Sequence, residues 1–129
     1  MGVERVPTQG GASFSAAVVV TGPGRWVHVS GQIEPRPSLA EEAAACFEQI
    51  AATLAPLGGS LSDVVRITAY LTSLDEYAEY GRVRAQYFGD TLPASAAVQV
   101  ASLLFGAQIE IDAIAFISDE TRPGQTDEH

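Results

Sequence analysis

With 129 residues, 47% of them apolar, the chain is long enough for one domain with its own core and too apolar for a disordered segment. Seven arginines and no lysine stand against sixteen acidic residues, a net charge of −9. That balance argues against nucleic acid and anionic membranes as partners, and the lack of lysine excludes Schiff-base catalysis through a lysine side chain. No apolar run reaches membrane-spanning length. The N-terminal MGVERVPTQGG lacks the basic-then-apolar order of a secretory signal. The single Cys46 cannot form an internal disulfide, which fits a reducing cytoplasm.

A short strand is expected around Glu4–Val6. Ala16–Thr21 and Arg25–Gln32 read as strands, and Gly22-Pro23-Gly24 between them predicts a hairpin. Ser38-Leu39-Ala40-Glu41 is a capping box that opens a helix to about Leu54. Ala43, Phe47, Ile50 and Leu54 share its apolar face, while Glu41, Glu42 and Glu48 solvate the remainder. Pro56 and Gly58-Gly59 stop it. Val64–Leu71 alternates, with Val65, Ile67, Ala69 and Leu71 on one side and Arg66, Thr68 and Tyr70 on the other.

Ser73-Leu74-Asp75-Glu76 is a second capping box, for a helix to about Phe88 capped by Gly89. Tyr77, Tyr80, Val83 and Tyr87 are expected on one face. Ser95–Ala101 and Gln108–Phe116 complete the strands, with Ile109, Ile111, Ala113 and Ala115 opposite Glu110 and Asp112. This predicts an α+β domain over 1–117 with helices on one sheet face, and a polar, disordered tail over 118–129. The other sheet face is left to solvent or to another subunit.

Few residues carry obvious chemistry. There is no His/Cys/Asp cluster at metal-ligand spacing, and no Gly-x-Ser-x-Gly, Walker or dinucleotide motif. No metal and no cofactor are expected. His28, on a face with Trp26 and Ser30, reads as a structural histidine, and Cys46 as a buried, inert thiol. Glu110 either positions a water or exchanges a proton, or pairs with Arg66 or another subunit's arginine. Ser30 and Gly31 either offer a hydroxyl and an N–H to a ligand oxygen or form a strand end that needs glycine for its bend.

Several blocks, in order over Ser13–Phe116, resemble the Rid family, the YjgF-like reactive-intermediate deaminases. They are Val29-Ser30-Gly31-Gln32-Ile33, Asp63-Val64-Val65-Arg66-Ile67-Thr68, Gln86-Tyr87-Phe88, Pro93-Ala94 with Val98-Gln99-Val100, and Ile109 through Ala115. The resemblance implies a chorismate-mutase-like fold of the bacillary type, a mixed sheet with two helices on one face. It also implies a homotrimer with a central β-barrel core and small-molecule clefts between subunits. In deaminating members the cleft uses a tyrosine, a Ser-Gly pair, a carboxylate-gripping arginine, often a cysteine, and a glutamate.

Carried over by motif, the glutamate is Glu110 and the pair is Ser30 and Gly31. The tyrosine falls on Phe14, the arginine on Ser95 and the cysteine on Ala97; a frequent asparagine falls on Gly81. A serine hydroxyl cannot replace a guanidinium's charge and paired donors. The expectation is a Rid-like cytoplasmic protein acting on an imine, enamine or related carbonyl metabolite, distinct from a standard 2-imino-acid deaminase. The alternatives are a genuine imine deaminase, a hydrolase releasing ammonia, or a non-catalytic trimeric interaction protein. Nuclease activity, an older family label, is disfavoured by the charge. Arg25, Arg66 and Arg84 are candidates for a substitute anchor, and Arg84 has largely aromatic neighbours in its helix.

Overall fold

The computed structural model describes residues 2–119. Six strands form one mixed sheet. In chain order they are β1 (Val3–Pro7), β2 (Ser15–Val20), β3 (Gly24–Gln32), β4 (Val64–Leu71), β5 (Ala94–Gln99) and β6 (Ile109–Ser118). Helix α1 (Leu39–Leu54) lies between β3 and β4, and α2 (Tyr77–Phe88) between β4 and β5. The spatial order is β1-β2-β5-β4-β6-β3. β4 and β5 run parallel with α2 as their crossover, and β6 is antiparallel to both β4 and β3. The expected tail begins inside β6, whose last residue is Ser118; residues 120–129 lie outside the described residues.

The predicted hairpin between the second and third strands does not form. β2 pairs with β1 along Val3–Pro7 and meets β5 only at Ser15, whereas β3 gives its length to β6. The chain does turn at Gly22, where φ is +85°, a left-handed value that favours glycine. The two strands then diverge, because each has a longer partner elsewhere. Gly24 lies so close to the Phe116 ring and the Ile117 carbonyl that a Cβ there would overlap them.

Ser38 caps α1 by accepting the Glu41 N–H at 3.2 Å. The Glu41 carboxylate meets the Ser38 hydroxyl at 2.9 Å, so the box closes through side chains. Ala43, Phe47, Ile50 and Leu54 are fully buried, as their spacing predicts. Glu42, expected in solvent, is 1% exposed. Its carboxylate accepts the Gln108 backbone N–H at 3.0 Å and the Gln108 Nε2 at 2.8 Å, which offsets its desolvation.

On β4 the register slips between Val64 and Arg66. The slip puts Val64, in place of Val65, in the core cluster with Ile67, Ala69 and Leu71. In α2 the buried residues are Tyr80, Val83, Arg84 and Phe88. Tyr77 is 37% exposed, and Tyr87 is half-buried with its hydroxyl donating to Glu48 at 2.7 Å. No helix among the described residues is long and apolar enough to cross a membrane.

Cys46 is fully buried, and its thiol donates to the Gln32 carbonyl at 3.2 Å. Burial, reinforced by Glu34 and Glu42, pushes its pKa up from 9.0 to about 12. The native thiol is therefore expected to resist a disulfide reagent at pH 8 and to react once denatured; rapid native labelling would contradict this burial. The unfolded thiol ionises near pH 9 while the folded one holds its proton to about pH 12. Its contribution to stability is thus intact below pH 9 and falls as pH rises through that window.

Candidate functional site

Two clusters of the expected site residues exist, and the sheet separates them. Across β5, β4 and β6, Ser95 is in register with Ile67 and Ala113, on the side covered by the helices. Val98, Tyr70 and Glu110 are in register on the opposite face. Strand alternation therefore directs Ser95 and Glu110 to opposite faces within one copy.

The first cluster centres on Arg84. β1 and β2 lead into it. The Arg5 guanidinium holds β1 by donating to the Val64, Leu92 and Ser62 carbonyls at 3.1, 2.9 and 2.8 Å. The Ser15 N–H donates to the Pro93 carbonyl at 2.9 Å. These bonds fix Ser13 and Phe14 against α2. The Ser13 hydroxyl donates to the Gly81 carbonyl at 3.2 Å and accepts from Arg84 Nε and Nη2 at 3.1 and 2.9 Å. Arg84 Nη1 reaches the Ser95 hydroxyl, and Nη2 the Tyr77 hydroxyl, each at 3.4 Å. The guanidinium carbon lies 5.0, 5.1 and 5.7 Å from the ring centres of Phe14, Tyr80 and Tyr77, close enough for cation–π attraction. Ala97, one pleat beyond Ser95, packs on the core as a half-buried methyl.

The second cluster lies where β3 meets β6. A Cβ on Gly31 would overlap the Glu110 carboxylate and push that side chain aside; the register of β3 against β6 also shifts here, between Val29 and Gln32. Glu110 is half-buried and makes no ion pair among the described residues; the expected pairing with Arg66, which is exposed, is not formed. Ser30 is exposed, and its hydroxyl has no partner among the described residues. His28 is also exposed in the single chain. Nearby on the open face the Tyr70 hydroxyl donates to Asp112 at 3.2 Å, and that carboxylate raises the tyrosine's pKa. No group of three His, Cys, Asp or Glu side chains placed to hold a metal occurs among the described residues.

Sequence reasoning named Phe14, Ser30, Gly31, Ser95, Ala97 and Glu110 and left Arg84 among three candidates. It missed Ser13 and Tyr80. The available signal was helical spacing: residues 77, 80, 84 and 88 follow one stripe, so Arg84 had to face the sheet with the aromatics.

A mixed sheet carrying two helices on one face, with polar side chains gathered at α2 and at the β3–β6 seam, defines a chorismate-mutase-like fold. Comparison with known proteins agrees. Residues 7–117 match the family described as endoribonuclease L-PSP. The chain is 35% identical over 120 residues to rat 2-iminobutanoate/2-iminopropanoate deaminase, covering 87% of this chain and 85% of that one. It is 36% identical over 111 residues to a RutC family protein of Pyrococcus abyssi, covering 80% and 85%. The crystal structure of RidA from an Antarctic Psychrobacter superposes with a TM-score of 0.70 at 33% identity, covering 91% of this chain and 99% of that one. The chain belongs to the endoribonuclease L-PSP family, the YjgF-like or Rid family.

Proposed function

We propose that this protein hydrolyses a small imine, or the enamine in equilibrium with it, in clefts formed between copies of the chain. The observation that carries the reading is Glu110. It is a partly accessible carboxylate with no ion pair among the described residues, seated over Gly31, which follows the exposed Ser30 in the chain. Such a group can take a proton from water as the oxygen adds to the C=N carbon. It can return that proton to nitrogen as the C–N bond breaks. The balance is imine plus water to carbonyl compound plus ammonia. The deaminase relatives support this reading.

Phe14 lacks a tyrosine's hydroxyl and Ala97 lacks a thiol, so turnover is expected to be slower than in relatives with the full set. The test is ammonia release from an imine generated in situ by an amino-acid oxidase. No ammonia above the enzyme-free rate would refute hydrolysis and leave a binding or scaffolding role. Net charge −9 opposes a role on RNA or DNA. The free, buried Cys46 accords with a reducing, cytoplasmic setting.

The same reading requires an oligomer, and a homotrimer is the family-based expectation. The sheet face opposite the helices presents Trp26 at 54% exposure and Val98 at 43%, with Thr68, Tyr70 and Asp112 between them and no layer above among the described residues. A second copy would cover that face and bring its own cluster to the first copy's Glu110. Light scattering is expected to give three times the 13.5 kDa chain mass; a stable monomer would refute both the trimer and the shared cleft.

A further inference from the structure

The loop that joins β5 to β6 arches over the end of β4, because β4 lies between those two strands. Both legs of the arch are tied to it. The Val100 N–H donates to the Leu71 carbonyl at 2.8 Å, and the Thr72 N–H donates to the Gln108 carbonyl at 3.1 Å. The second leg is also clamped from α1, where the buried Glu42 carboxylate accepts the backbone N–H and the side-chain amide of Gln108. Bonds to an ionised acceptor are stronger than neutral ones, so this leg is firmly placed.

Between the fixed legs, Leu104 and Phe105 stand side by side at 67% and 81% exposure. Phe105 also has a φ of +62°. Left-handed backbone is ordinary for glycine or asparagine and an outlier for a bulky ring. A polar tip would carry neither the strain nor the exposed apolar area; where both occur together, a contact surface is the physical reason for them.

The loop runs from Val98 to Glu110, which share the open sheet face in register with Tyr70. Glu110 is five positions beyond Phe105, so no more than about 18 Å of chain separates them. The exposed Leu74 belongs to the same end of the sheet, since its N–H donates to the Gln99 side chain at 3.2 Å. The end of the sheet that carries the Glu110 carboxylate is therefore rimmed by apolar groups.

We propose that Leu104 and Phe105 are the wall that selects the substrate of the Glu110 cleft, favouring an imine or carbonyl compound whose side chain ends in an aromatic or branched apolar group. The proposal rests on the reading of Glu110 as the acid–base group, but it concerns affinity and selectivity, not the bond-breaking step. A ring laid against Phe105 gains an aromatic contact in addition to the area it removes from water. A methyl or ethyl side chain offers far less area to the same wall. Because both legs of the loop are already held, the tip needs little ordering when a ligand arrives.

The experiment is calorimetric titration of the intact protein with 2-oxobutanoate and with 2-oxo-4-phenylbutanoate, which share a head group and differ in a terminal phenyl. The unmodified protein is expected to bind the phenyl-bearing acid about tenfold more tightly, the scale of one aromatic contact. Phe105→Asn, which suits the left-handed backbone, should reduce that preference to about twofold, with the loss falling on the phenyl-bearing acid. Phe105→Leu should keep an intermediate preference. In ammonia release from the corresponding phenyl-bearing imine, Phe105→Asn should act through KM and not through kcat.

Equal affinity for the two acids in the unmodified protein, or none for either, would overturn the proposal. A preference that survives Phe105→Asn combined with Leu104→Ser would overturn it too. So would a Phe105→Asn protein whose light-scattering mass differs from the parent's, because the tip would then be packed against a second copy. Preference for the phenyl group without ammonia release would leave the proposal standing and refute the hydrolase reading. Ammonia release with indifference to the phenyl group would do the reverse.

Discussion

Glu110→Gln is expected to lower ammonia release by about two to four orders of magnitude, the range for a positioned acid–base group. The substitution keeps the shape of the side chain and removes only its capacity to take a proton. Glu110 forms no ion pair among the described residues, so the fold should not register the loss, and the melting temperature should change little. The loss should fall on kcat, with KM nearly unchanged, because the group acts on water as the bond forms. Gly31→Ala should produce a similar loss by another route, since a Cβ at that position occupies the space of the Glu110 carboxylate. Full turnover in Glu110→Gln would remove the carboxylate from the mechanism and return it to a structural role.

The largest effect on stability is expected from Phe47→Ala, at about 3–5 kcal/mol. Phe47 has no solvent exposure. Its ring stacks on Tyr80 with centroids 6.3 Å apart, meets Phe88 edge-on at 5.2 Å and leans on Tyr87 at 5.5 Å. It therefore holds α1 against α2, and through Tyr80 it supports the Arg84 cluster. A domain of this size has roughly 5–15 kcal/mol in total, so a drop of about 10–20 °C in melting temperature follows. Measurement at fixed protein concentration removes the mass-action contribution of assembly. Phe105 makes the contrast. It is 81% exposed and has a φ of +62°, so Phe105→Asn should leave stability unchanged or slightly raised. A Phe47→Ala protein melting within a few degrees of the parent would mean that this aromatic cluster is not the keystone of the helix layer.

What was legible in the sequence was what neighbours in the chain decide. Ser38 and Glu41 mark the start of α1, and Ala43, Phe47, Ile50 and Leu54 its buried face, because capping and helical period act within one or two turns. The alternation along Ile109–Ala115 likewise identified the core face of β6. The expected hairpin failed because a local turn at Gly22 says nothing about which edge each strand will fill. That choice was made by β1 and β6, the latter nearly ninety positions away. Glu42 was misplaced for the same reason: its partner Gln108 is 66 residues distant. Arg84 needs Ser13, 71 residues away, and Ser95 to look like anything but a charge on an aromatic helix. The motif picked positions along the chain, and the neighbours of Arg84 are visible only in three dimensions.

The separation of Ser95 and Glu110 by the sheet has a consequence for how damage to this protein would present. Ser95 and Glu110 point from opposite faces of one sheet, with its packed backbone between them, so a small metabolite cannot touch both within one copy. If both groups act on one molecule, they come from different chains, and a lesion in one chain spoils a cleft shared with its neighbour. Coexpressed Ser95 and Glu110 mutants, if each is inactive alone, would then assemble some clefts that draw both intact groups from different parents. Activity would reappear in the mixture, whereas a lesion in one group alone would spoil clefts only in proportion to its share of the chains.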